Sequence, residues 1–300
     1  MIITSTEFYA TTCGSCPLKS RRLCRAIHDR STRSGGEYIP RLRAIKAETR
    51  LQEEDEQPRF AGILRKGYLR TERILQDGRR SVLSFLAPGD LIGDVLGLDR
   101  GPAFVAATNA EFCAFDPAAL RRAMQEDARL NAYFLSEAMK QHNRQLEMVW
   151  RRGALNSLER IAAFMVMAVE FMPTEPLPDG SVILNLKISR KDWADFSNTT
   201  VETICRTLAS LTEKGIVETV APSRYLIRDL GTLAQLAGLD SLSDRSAMFV
   251  DGPPNAKSLR ETQASVYSKM GQLKPDRSTA RRIRGSTVSG HVSKASMFLS

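Results

Sequence analysis

Three cysteines fall within the first two dozen residues as Cys13-x2-Cys16-x7-Cys24, and a fourth, Cys113, lies far downstream on a segment with strand character. Thiolates are soft ligands, and a close Cys-x2-Cys pair anchors both tetrahedral zinc and iron-sulfur sites. Structural zinc usually joins two compact knuckles that each supply a close pair, whereas Cys113 stands alone between Phe112 and Ala114. A solitary strand cysteine is more often a core thiol than a ligand. The residues alone leave a cluster, a zinc ion and bare thiols open.

A second constellation lies in Thr199-Thr200-Val201-Glu202-Thr203-Ile204-Cys205-Arg206. Glu202 and Arg206 are four apart, so on a helix they share a face. A Glu accepts a hydrogen bond from cytosine N4, and an Arg grips guanine O6 and N7 together, so the pair suits a G·C base pair. An isolated Glu-x3-Arg would be no more than a surface ion pair; the surrounding elements make the difference. Ser189 caps a short helix over Arg190 to Phe196, Ser197-Asn198 turns, and Thr199 to Lys214 forms a second helix stopped by Gly215. Two short β segments follow, Ile216 to Val220 and Tyr225 to Arg228. That order is a winged helix-turn-helix, whose second helix meets base edges. Ser189, Thr199, Thr200, Thr203 and Cys205 complete the candidate DNA-facing set.

Upstream of this unit the pattern is β-type. Runs over Phe60 to Arg65, Tyr68 to Leu75, Ser81 to Leu86, Ala103 to Thr108 and Glu111 to Phe115 are separated by turn residues. Asp77-Gly78 marks a hairpin, because both central residues of its turn need positive φ. A small antiparallel roll or sandwich is expected, irregular in the glycine-poor stretch from Glu37 to Gln57.

At Asp116-Pro117 the character changes to helix, with Asp as cap and Pro in the first turn. Ala128, Ala132, Leu135, Met139, His142, Leu146 and Val149 then recur at alternating steps of four and three, the seam of a short coiled coil. Leu135, Met139, His142, Leu146 and Val149 are its expected dimerisation residues. A further amphipathic helix over Ala154 to Met172 ends at Pro173.

The chain of 300 residues is long enough for two cored domains. No signal peptide or membrane-length apolar run is evident, and five cysteines is an odd number, which points to a cytoplasmic location and away from a disulfide framework. The net charge of +9 is uneven: residues 241–300 carry ten basic and four acidic side chains, six of the nine net charges. The case for DNA therefore rests on the motif and not on the global charge. The same tail holds twelve serines and no sustained period, so it is expected to be disordered. No catalytic acid/base pair or Gly-rich phosphate loop is found, and an enzyme is not expected.

The run Ser189-Arg-Lys-Asp192, Thr200-Val-Glu-Thr-Ile-Cys-Arg206 and Leu233-Ala-Gln-Leu-Ala-Gly238 resembles the DNA-binding domain of the Crp/Fnr transcription regulators, and Gly62 to Asp94 resembles the family's β-roll. The cysteine spacing is similar to that of its FNR branch. The resemblance implies an α+β chain: a cysteine-rich segment over 1–30, an antiparallel, cyclic-nucleotide-binding-like β-roll over 31–125, a dimerisation helix over 126–152, a winged helix-turn-helix over 153–239 and a tail over 240–300. It further implies a 4Fe-4S cluster on Cys13, Cys16, Cys24 and Cys113, lost to oxygen, in a homodimer that binds double-stranded DNA at a TTGAT-N4-ATCAA-like palindrome and recruits RNA polymerase. Base reading would fall to Glu202 and Arg206, with Cys205 where the family usually has Ser. Zinc, or thiol redox without a cluster, is the alternative. No membrane is implied, and cyclic nucleotide is not expected: the family's phosphate-cradling segment corresponds to Gly93–Pro102, where Arg100 stands alone.

Overall fold

The computed structural model describes residues 13–33, 40–53, 60–93 and 101–238. The tail from 240 and most of the segment at the phosphate-cradling position, 94–100, lie outside the described residues.

The first helix, α1 (Arg22–Arg33), precedes a roll of eight strands: β1 (Arg41–Ile45), β2 (Arg50–Gln52), β3 (Ala61–Lys66), β4 (Leu69–Ile74), β5 (Arg80–Leu86), β6 (Leu91–Gly93), β7 (Ala103–Ala106) and β8 (Ala110–Phe115). They form two antiparallel sheets, in the orders β1-β8-β3-β6 and β2-β7-β4-β5. Between them lie Leu64, Leu69, Leu86, Ile92, Ala106 and Phe112. The β4–β5 hairpin falls at Asp77-Gly78 as the sequence predicts, but not with both residues at positive φ: only Gly78 takes it, at φ 83, in a longer loop closed by the Gly78 N–H on the Leu75 carbonyl at 2.8 Å and the Leu75 N–H on the Arg79 carbonyl at 2.9 Å. In the stretch where the roll was expected to be irregular, Glu48 occupies the left-handed region at φ 63 and the register shifts between Arg50 and Gln52.

Two helices follow: α2 (Pro117–Glu126), capped by Asp116 Oδ1 on the Ala119 N–H at 2.7 Å, and α3 (Ala128–Ala154), capped by Asp127. α3 has two faces. One packs on its own roll through Leu130 and Phe134, joins the core of the C-terminal unit through Met148, and carries polar ties, Gln141 to the Leu91 backbone and Arg144 to Asp90 at 2.5 Å. The other exposes the whole predicted seam from Ala128 to Val149.

The C-terminal unit comprises α4 (Ser157–Phe171), β9 (Thr174–Pro176), β10 (Val182–Asn185), α5 (Arg190–Phe196), α6 (Val201–Glu213), β11 (Val217–Ala221), β12 (Arg224–Ile227) and α7 (Leu230–Leu236). The single amphipathic helix expected from Ala154 begins instead at Ser157, because Asn156 and Glu159 form a reciprocal capping box that separates it from α3. Strands β11-β12-β10-β9 make one antiparallel sheet. Tyr68, Val82 and Ala87 of the roll join the core of this unit, and the Tyr68 hydroxyl donates to the Phe171 carbonyl at 3.0 Å.

Candidate DNA-reading face and thiol site

The helix-turn-helix is set by local chemistry. Ser189 Oγ accepts from the Asp192 N–H at 3.0 Å to start α5, and Thr200 Oγ1 accepts from the Thr203 N–H at 3.1 Å to start α6. Between them Asn198 takes φ 48, a left-handed position that Asn tolerates better than most residues. Ile204, Leu208 and Leu211 face the core. The opposite side of α6 presents Glu202, Cys205 and Arg206 to solvent together, at the i, i+3, i+4 spacing of one face. Ser189 and Thr200 are exposed, and Thr199 and Thr203 half-buried, around the two helix starts.

Arg190 belongs to this face and was missed from the sequence. Its Nη1 lies 3.5 Å from Cys205 Sγ, so it bridges the start of α5 to the middle of the reading helix. A basic residue directly after a helix cap was the available signal.

The four N-terminal-site cysteines come together from three elements. Tight turns fold the first pair, with the Cys16 N–H on the Cys13 carbonyl at 3.1 Å. Cys24 sits in the first turn of α1, whose Leu23 and Ile27 pack with Leu130 and Phe134 of α3. Arg30 pins α1 to the α2–α3 junction through Glu126 and Asp127. Cys113 lies on β8 opposite Leu42 and Ile63. Because strand side chains alternate, Phe112 points into the roll and Cys113 packs on the other side, with the cysteine segment. It is therefore not a thiol of the roll core.

The four thiols lie within electrostatic reach of one another. Burial pushes the Cys24 thiol up to about 12, with Cys113 and Cys16 adding to the rise and Arg21 opposing it. Burial likewise pushes Cys113 up to about 12, with Cys13 and Cys16 adding and Arg65 opposing. Cys13 is raised by burial and by Cys16. All are free thiols. The Arg21 guanidinium lies over Gly89, where a Cβ would displace it, and Gly89 has φ 103.

The donor set is chemically suited to an iron-sulfur cluster: four soft sulfurs from three elements, with Arg21 and Arg65 to offset thiolate charge. Among the described residues, no three His, Cys, Asp or Glu side chains are arranged to hold one metal ion.

A β-roll, a long helix with an exposed apolar seam and a winged helix-turn-helix are together the parts of a DNA-binding transcription regulator. Residues 42–127 match the cyclic nucleotide-binding domain and residues 159–236 the Crp-like helix-turn-helix domain. The chain belongs to the Crp/Fnr family. It is 26% identical to the nitrogen fixation regulation protein FixK of Bradyrhizobium diazoefficiens, over 68% of this chain and 85% of that one. It is 22% identical to the transcriptional activator protein FnrL of Cereibacter sphaeroides, over 76% of this chain and 93% of that one. The solved structure of FixK2 from Bradyrhizobium japonicum superposes with a TM-score of 0.60 at 21% identity, covering 66% of this chain and 97% of that one. Crp/Fnr regulators bind DNA as dimers. Among the described residues no helix is long and apolar enough to cross a membrane.

Proposed function

We propose that this chain is an oxygen-responsive transcription regulator. In this reading Cys13, Cys16, Cys24 and Cys113 hold a 4Fe-4S cluster, Leu135, Met139, His142, Leu146 and Val149 form the dimer seam, and Glu202 and Arg206 read the G·C pairs of a TTGAT-N4-ATCAA-like palindrome. Recruitment of RNA polymerase belongs to the same reading, supported by the naming of the FnrL relative as an activator.

One observation carries it: the cysteine segment packs on Leu130 and Phe134, the inner face of the helix whose outer face is the exposed seam. When bound, the cluster supplies chemistry that oxygen destroys. The chain does the rest. Leu23 and Ile27 of α1 pack against Leu130 and Phe134 of α3, and Cys24 as a ligand would fasten α1 there, so that without it the packing behind the seam would loosen and the dimer would weaken. Two reading helices then no longer address adjacent half-sites together.

The test is anoxic purification with iron, sulfide and zinc quantified, followed by visible absorption, sedimentation and binding to the palindrome as air is admitted. Iron and sulfide near four per chain, with absorption, dimer and binding lost together in air, is the expected result. One zinc per chain with binding indifferent to air would replace this reading with a zinc-stabilised regulator.

A further inference from the structure

Two arginines of the roll, Arg70 and Arg80, meet two aspartates of α5, Asp192 and Asp195. Arg70 on β4 donates from Nε to Glu72 at 2.8 Å, grips Glu48 with Nη1 and Nη2 at 2.9 and 2.7 Å, and reaches Asp192 at 3.4 Å. Arg80, at the start of β5, donates to Asp192 at 2.7 Å and to Asp195 at 2.5 and 2.8 Å. Arg50 on β2 closes the other side of Glu72 at 2.9 Å. The side chains of Glu72, Asp192 and Arg70 are 2, 3 and 4% exposed. Glu48, which anchors the far end of Arg70, is held in the left-handed region that non-glycine residues seldom occupy.

We propose that Arg70 and Arg80 are positioning residues for DNA reading. They hold α5, and through the Asn198 turn α6, at one attitude to α3. Apolar contacts such as Phe85 on Phe196 tolerate sliding; directional bonds to buried charges do not, because rotation would leave a carboxylate or guanidinium buried without its partner. Attitude matters because the two reading helices of a dimer must meet half-sites one helical turn apart, about 34 Å. Asp192 also donates its backbone N–H to the Ser189 cap, so the same residue that the roll grips starts the DNA-facing end of α5. The inference rests on DNA reading by α6 and not on the occupant of the thiol site.

The test uses the full-length protein, handled without oxygen. A duplex selected by the wild-type chain from a randomised pool and a random-sequence duplex serve as the two probes. Arg70 is too buried to guarantee that its variants fold, so the substitutions are Arg80→Ala, Asp195→Ala and both together, at side chains 17 and 21% exposed, with Arg80→Lys as the conservative change. Net charge alone would move DNA affinity in opposite directions in the two single variants. Positioning instead lowers the ratio of selected to random affinity in both, by about tenfold, with no further loss in the double variant and partial recovery with Lys. An unchanged ratio, opposite shifts, or a fall in thermal midpoint without a fall in the ratio would overturn the proposal. A pool yielding no preferred duplex with the wild-type chain would overturn DNA reading itself, and the positioning role with it.

Discussion

Arg190 Nη1 lies 3.5 Å from Cys205 Sγ, which joins the starting turn of α5 to an exposed thiol on the reading helix. Oxidation of that thiol by peroxide to a sulfinate would give Arg190 an anionic partner and set negative charge against DNA phosphates. Peroxide titration is expected to abolish operator binding by the wild-type chain while Cys205→Ser resists, with the thiol-site cysteines kept intact. Equal sensitivity in both would remove Cys205 from the redox response.

Arg206 is exposed on the same face as Glu202. Arg206→Ala is expected to weaken operator binding by roughly 1 to 3 kcal/mol per half-site and to relax the preference at one base position. Competition binding against operators substituted at each position measures both effects.

The seam on α3 leaves Leu146 and Val149 54 and 66% exposed on the single chain, with Trp150 beside them at 54%. Leu146→Glu would bury a carboxylate on each side of the dimer axis and forfeit apolar burial of about 2 kcal/mol per chain. Sedimentation is expected to show a monomer at concentrations where the wild type is dimeric. Asn143→Glu, exposed but off the seam, should leave the dimer intact.

The raised thiols give the metal-free protein an alkaline limit. Cys24 and Cys113 keep their protons up to about pH 12 when folded, whereas an unfolded thiol releases its proton near about 8.5. Their contribution to stability is therefore fully present below about pH 8.5 and is lost as pH rises toward about 12. Tyr68, also pushed up to about 12 by burial, adds a similar loss only above about pH 10. Urea unfolding between about pH 8.5 and 10 isolates the thiols. The wild-type midpoint should fall there, and fall less in a Cys24→Ser, Cys113→Ser double variant.

Much of the fold was legible because its signals are local. Gly78, the Asp116-Pro117 cap and the Ser189 and Asn198 positions each dictate a backbone conformation within a few residues, and each is found in place, although the turn at Gly78 is longer than the two-residue one that Asp77-Gly78 predicts. Strands β1, β2, β6 and β9 were not legible. β1 is exposed along most of its length, so it carries no alternating apolar pattern, and β2, β6 and β9 are three residues each. α1 was missed because its charged residues mask the spacing of Leu23 and Ile27. In the candidate site, the shared face of Glu202 and Arg206 followed from helical period alone, while Arg190 needed the packing of α5 on α6.

The sequence by itself determined the class of fold, the alternating seam of α3 and the residue types available for sulfur ligation and base reading, since period, caps and spacing are properties of neighbours along the chain. Only the tertiary structure decided that Cys113 leaves the roll core to meet Cys24, and that Arg70 and Glu72 turn inward to Asp192. On a strand read alone, alternating charges mark the solvent face. Whether that face meets water or a helix more than a hundred residues away depends on long-range packing, which no local pattern encodes.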